Sequence, residues 1–237
     1  MKKMLKIATY NIKHGGSLGK NCQDIARLIH DENIDVVGFQ EVDSFISRSG
    51  NQDIIKTIAT LAGYPYYTFH KALDYSDGEY GLGIMSKYPY QVITTISLVQ
   101  SIEPRILVEA NLQVNDQEIP FFVTHLELGS YEEVRRHQFK QIKDHLSRHQ
   151  KFILTGDFNV SDWNNENGIF EYQEFFGEYR LANHRYMSFY TYHSDYHLEE
   201  VAPLDNIITS QNVEMIGVYM IHNHYSDHNL FVATIKF

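Results

Sequence analysis

The chain has 237 residues, 30 acidic against 20 basic, for a net charge of -10. That balance argues against a protein that coats nucleic acid, because such binding comes mainly from lysines and arginines neutralising phosphates. The single cysteine, Cys22, excludes an internal disulfide framework or a thiol-rich metal site, and 43% hydrophobic content is ample for a core.

In chain order, the start from Met1 to Lys6 is basic, but Thr9, Tyr10 and Asn11 break the apolar stretch a signal peptide needs. No run approaches the ~18 apolar residues of a membrane span. A soluble cytoplasmic protein is expected. With no repeat and no Pro/Gly/Ser linker, residues 1–237 read as a single domain.

Strand-length apolar runs begin with Leu5 to Thr9, Asp35 to Phe39, Gly83 to Met85 and Val92 to Leu98. They continue with Ile106 to Leu112, Ile119 to Val123, Phe152 to Leu154, Leu204 to Ile208, Val213 to Met220 and Leu230 to Ile235. Helical spacing joins Ile25, Leu28 and Ile29, in a segment that takes in Cys22, and then Ile54, Ile55, Ile58 and Leu61 up to Gly63. A third helix is expected from Tyr131 to His149, with Glu132 and Glu133 at its start and Val134, Gln138, Ile142 and Leu146 facing inward. The class is α/β.

The residues that follow these runs carry the chemistry. Asn11 follows the first, Gln40-Glu41 the second, Thr124-His125 the sixth, and Thr155-Gly156-Asp157-Phe158-Asn159 the seventh. Asp205 opens a later strand, and Ser226-Asp227-His228 precedes the last. Ligands of α/β sheets gather at strand ends on one rim. Asn11, Glu41, Asp157, Asn159, Asp227 and His228 form an oxygen-rich set suited to a hard cation such as magnesium or manganese. Such an ion acts as a Lewis acid on a phosphate oxygen. One histidine paired with a carboxylate can take a proton from water while another stabilises the phosphoryl oxygens or assists the leaving group.

The order and wording of these segments resemble the endonuclease/exonuclease/phosphatase superfamily. The anchors are Thr9-Tyr10-Asn11, Gln40-Glu41-Val42, Gly81 to Pro89, Thr124-His125-Leu126, Gly156-Asp157-Phe158-Asn159, Leu204-Asp205-Asn206-Ile207 and Ser226-Asp227-His228. The resemblance spans nearly the whole chain. It implies a four-layer α/β/β/α sandwich of two mixed sheets, and metal-dependent hydrolysis of a phosphoester by an activated water without a covalent enzyme intermediate. It makes Glu41 the principal metal ligand, with Asn11 and Asp227 close by. Asp157 then positions or deprotonates the water, Asn159 binds a phosphate oxygen, and His125 faces the phosphate from the side opposite His228. His228 is a base or phosphate contact oriented by Asp205, and Arg105 is a further candidate for the phosphate. Lys13 departs from the pattern, since nuclease members often carry an acid there. Leu82 and Asn206 depart as well.

Other readings stand beside these. Arg105 is equally suited to a surface pair with Glu103 or Glu109, and Lys13-His14-Gly15-Gly16 is suited equally to a mobile surface turn and to a loop offering charge and amides to phosphate. His193 and His197 are four apart, the spacing of a zinc pair on a helix, but Tyr190, Thr191 and Tyr192 disfavour a helix there. Residues 178–200 hold Tyr179, Tyr186, Tyr190, Tyr192 and Tyr196, interleaved with His184, His193 and His197. These side chains suit a sugar, inositol ring or lipid headgroup as well as a nucleobase. Arg180 and Arg185 face four acids in that stretch, the wrong sign for a groove along a phosphate backbone. The expected substrate is therefore a small phosphomonoester or phosphodiester, with a DNA nuclease as the alternative and a non-catalytic phosphate-binding module as the rival from another class.

Overall fold

In the computed structural model the first half of the chain runs β1 (Met4–Asn11), α1 (Cys22–Asp31), β2 (Val36–Ser44), α2 (Ile54–Ala62), β3 (Tyr66–Tyr75), β4 (Gly78–Ser86), β5 (Tyr90–Leu98) and β6 (Arg105–Val114). The second half runs β7 (Gln117–His125), α3 (Glu132–Leu146), β8 (Ile153–Asp157), β9 (Tyr179–Leu181), β10 (Tyr192–His193), β11 (Val201–Ala202), β12 (Asp205–Ser210), β13 (Glu214–Ile221) and β14 (Leu230–Lys236). The structure describes residues 4–161, 170–184, 189–194 and 199–237. Tyr186, Tyr196 and His197 lie outside the described residues.

Two six-stranded sheets result, in the orders β13-β14-β1-β2-β4-β3 and β5-β6-β7-β8-β12-β9. Each holds one parallel pair, β1 with β2 and β7 with β8, joined through a helix, and every other pairing is antiparallel. A parallel pair sends both strands' ends to the same rim, so Asn11 and the Gln40 region emerge together on one sheet and His125 and Asp157 on the other.

Period-two alternation sorts the side chains into layers. Leu5, Ile7, Phe231, Ala233 and Ile235 from the first sheet meet Val108, Ala110, Phe121 and Val123 from the second. Ala8, Tyr10, Val37 and Phe39 turn the other way, under α1 and α2. Phe122, Leu154 and Ile208 turn under α3. The expected four-layer sandwich is what forms. The sheets come closest at Gly38, where a Cβ would stand 2.2 Å from Thr155 Oγ1, so only glycine fits. Among the described residues no helix is long and apolar enough to cross a membrane.

Three local expectations change. β3 is a full strand whose residues are mostly half-buried, so the sequence shows no clean alternation there. In α2 the buried face is Ile54, Ile55, Ile58, Ala59 and Ala62, which leaves Leu61 exposed, while Gly63 ends the helix in the left-handed conformation. In α3 the inward stripe is Arg135, Gln138, Phe139, Ile142 and Leu146 rather than one starting at Val134. Arg135 is buried because its guanidinium forks onto Glu171 and caps the carbonyls of Glu127 and Gly129.

Candidate functional site

The rim between the sheets collects the predicted residues. Asn11 ends β1, His125 ends β7, Asp157 ends β8, and Asp205 opens β12. Asp157 sits opposite His125 in the parallel register and opposite Asp205 in the antiparallel one, so backbone pairing alone places three chemical side chains side by side. Glu41 arrives differently. Between Phe39 opposite Gly83 and Val42 opposite Gly81, β2 spends two residues against one, and Glu41 takes the left-handed conformation at φ 56°. Such a bulge re-aims a side chain out of the regular alternation. Asp227 and His228 come from the loop before β14, where His228 bridges to Tyr192.

Asp157 is the centre of the cluster. Its Oδ2 accepts a hydrogen bond from Asn11 Nδ2 at 3.0 Å and lies 3.6 Å from His125 Nε2 and 3.7 Å from His228 Nε2. Its Oδ1 accepts from the Asn159 amide at 3.0 Å, and the Asn159 side chain in turn donates to the Leu126 carbonyl. His228 Nδ1 donates to Asp205 Oδ2 at 2.7 Å. His125, Asp157, Asp205 and His228 are all buried.

Burial governs the proton affinities. Burial first, then repulsion from Asp205, raises the Asp157 carboxyl to about 7. Burial would depress His228, but the charges of Asp205 and Asp157 outweigh it and lift the imidazolium to about 10. Burial, with the charges of Arg105 and His228, pushes His125 well below its ordinary value, which favours its neutral form. A carboxyl exchanging its proton near neutrality beside one protonated and one neutral histidine can do acid–base work on water.

The other side of the site is richer in free oxygen. Glu41 Oε1 accepts from Asn11 Nδ2 at 3.0 Å, and Glu41 has no ion pair among the described residues. Asn11 Oδ1 accepts from the Lys13 amide at 3.1 Å, and Lys13 Nζ stands 2.8 Å from Asp227 Oδ2. Ser226 Oγ donates to the Asn11 carbonyl at 2.8 Å and holds the two segments together. Asp157, Asp205 and His228 also present one potential ligand atom each within 4.8 Å of one another. Carboxylate donors with no thiol, one of them a buried Asp205 Oδ1 without a hydrogen bond, fit a hard divalent cation.

Arg105 does not sit on a surface with Glu109. It is buried at the start of β6, with Nη2 2.8 Å from Glu103 and 3.9 Å from Glu127, and its Nε and Nη2 lack a well-directed hydrogen bond. Glu109 instead pairs with His149 at 3.2 Å. One neighbour of the site escaped the sequence reading. Glu127 is buried beside Arg105 and accepts from the amides of Ser101 and Ile102, and its only signal was its place two residues after His125. Tyr192 lays its ring 5.4 Å from that of His228. His193 belongs to strand β10, not to a helix, and faces His224. Close by, a cavity of about 540 Å3 is lined by Phe189, Tyr190, His193, Met220, His222 and His224 among others.

Comparison with known proteins places this geometry in context. The model of the endonuclease/exonuclease/phosphatase family matches residues 8–228. No curated protein matches the sequence. Solved structures share the fold. A family protein from Beutenbergia cavernae has a TM-score of 0.77 at 16% identity, over 100% of this chain and 72% of that one. TDP2 from D. rerio, solved with a single-strand DNA product, has a TM-score of 0.77 at 16% identity over 99% and 100%. A mannosyl-6-phosphatase from Bacteroides thetaiotaomicron has a TM-score of 0.70 at 16% identity over 98% and 100%.

Proposed function

The chain belongs to the endonuclease/exonuclease/phosphatase family, whose members are metal-dependent phosphoester hydrolases, and from that premise we propose that it hydrolyses a small phosphomonoester or phosphodiester with magnesium, manganese being able to substitute. The observation that carries the proposal is buried Asp157, whose Oδ2 lies 3.6 and 3.7 Å from the Nε2 atoms of His125 and His228 and is tied through the Asn11 amide to Glu41. Glu41, bordered by Asn11 and Asp227, would hold the ion, which supplies Lewis acidity to a phosphate oxygen when bound.

The chain's own groups do the rest. Asp157 aligns the attacking water and takes its proton, and Asn159, fixed by the Asp157 carboxylate and the Leu126 carbonyl, offers its amide to the phosphate. His228 stays protonated through Asp205 and gives positive charge to the phosphoryl oxygens, so Asp157 is the better candidate for the base. Neutral His125, with buried Arg105 behind it, serves the opposite side.

Two features support a small substrate. The cavity beside the 190–194 segment combines aromatic faces with polar tips at Tyr190, His193, His222 and His224, as a sugar or similar ring requires. The net charge of -10 opposes a long phosphate backbone. The nuclease reading keeps one support, the shared fold of a protein solved with a DNA product. The test is kcat/KM at physiological salt for sugar phosphates, small phosphodiesters and phospholipids against duplex, abasic and single-stranded DNA, each with magnesium and with chelator. Small substrates should be turned over best, and chelator should abolish activity. Greater efficiency on any DNA form reverses the substrate assignment, and full activity in chelator after removal of bound metal sinks the metal assignment.

A further inference from the structure

We infer that Lys13 is the second cation of this centre, so that the site takes one divalent ion on the Glu41 side and no second ion at Asp227. The inference rests on the metal-dependent reading above and deepens it. Four carboxylates serve the site, and their partners differ. Asp205 is matched by the His228 ring at 2.7 Å, and Asp157 is shared between Asn11, His125 and His228. Asp227 is matched by the Lys13 ammonium at 2.8 Å. Glu41 accepts from the neutral Asn11 amide and forms no ion pair among the described residues. Charge matching therefore leaves one carboxylate in want of a cation.

Lys13 is built into this position. Lys13 and His14 are both left-handed, at φ 43° and 50°, a conformation that β-unbranched side chains adopt only at a cost and that persists where surrounding contacts impose it. The Lys13 amide donates to Asn11 Oδ1, the oxygen of the same side chain whose nitrogen holds Glu41 and Asp157. The lysine thus engages both oxygens that flank Glu41, Asn11 Oδ1 with its backbone and Asp227 with its head, and leaves Glu41 as the carboxylate open to an ion. An ion at Asp227 must displace an ammonium, whereas an ion at Glu41 displaces none. The lysine head also supplies positive potential to an anionic substrate without a second ion.

The test is the stoichiometry of Mn2+ binding to the full chain, read from the electron paramagnetic resonance of the free ion, with circular dichroism to confirm folding. One ion is expected on the wild type, one on Lys13→Arg and two on Lys13→Asp. If Lys13→Asp does not fold, Lys13→Gln replaces it and is expected to gain a weaker second ion. Two ions on the wild type, or a single ion on the folded Asp or Gln variant, overturn the inference while leaving metal-dependent hydrolysis intact. No binding to any form would instead remove the metal reading itself, and this inference with it.

Discussion

The two sheets bring unlike halves to the same rim. The first sheet offers Glu41, Lys13 and Asp227, all half-buried, and it places Glu41 and Lys13 through left-handed backbone outside the regular alternation. The second offers His125, Asp157 and Asp205, all buried at the ends of regular strands. His228 belongs by chain to the first sheet and by environment to the second. Exposure would let an ion and an anionic substrate reach the first half, while burial in the second raises the Asp157 carboxyl to about 7. On the proposed reading one half binds charge and the other moves protons.

The sharpest way to break that division is to delete one group from each half. Asp157→Asn is expected to lower kcat by roughly 10²- to 10⁴-fold, the usual worth of general acid–base catalysis, with Mn2+ still bound. Glu41→Gln is expected to lower kcat at least as far at ordinary magnesium concentration, and to lose Mn2+ binding as well. Equal loss of Mn2+ in both variants would show that the halves share one function.

How much of this was legible depended on the kind of backbone involved. Asn11, His125, Asp157 and Asp205 are polar residues at the ends or starts of strands, so the change from apolar run to polar residue marked them directly. Glu41 was visible because it follows an apolar run, but the bulge that turns it inward was not, because a left-handed residue leaves no mark when it is not glycine. The pairing of Lys13 with Asp227 joins positions more than 200 residues apart, and nothing local encodes it. The burial of Arg105 and Arg135 was unreadable for a different reason. A buried arginine looks like a surface one until its partners, Glu127 and Glu171, are placed beside it.

A second test probes coupling within the buried half. Asp205→Asn and His228→Ala should each slow turnover, but the double variant should lose much less than the product of the two, because Asp205 acts through the ring it orients. The pH profile adds a sign. Removing the Asp205 charge relieves the repulsion that raises Asp157 and weakens the attraction that raises His228. Both limbs of the kcat/KM profile should therefore move to lower pH. Independent losses in the cycle, or an acid limb that moves upward, would dissolve the assigned pairing.

Burial of charge does not by itself mark the catalytic half. The Arg135–Glu171 pair is also buried, on the far side of the second sheet under α3. Glu171→Ala should leave an uncompensated guanidinium and cost about 3 to 5 kcal/mol of stability. Chemical denaturation should show this loss with kcat nearly unchanged at a temperature where the variant is folded. A large fall in kcat in the folded variant would extend the functional half to the α3 layer.

The smallest effect is expected in the first sheet, at His70 on β3, and it separates a structural histidine from the catalytic ones. Its ring meets the Thr68 hydroxyl at 2.8 Å, and burial lowers its pKa to about 4. The unfolded chain, with an ordinary histidine near 6.5, binds the proton more readily, so between those values unfolding takes up a proton. The contribution of His70 to the pH dependence is thus flat above about 6.5, and stability falls as the pH drops toward 4. Because the ring is half-buried and partly screened, the loss should be about 1 kcal/mol, below the limit that the full shift would allow. His70→Gln should remove that slope from urea-unfolding midpoints between pH 4 and 7 while leaving both limbs of the activity profile in place. An activity limb that moved with His70→Gln would tie this outer strand to the proton-moving half and erase the boundary between the two.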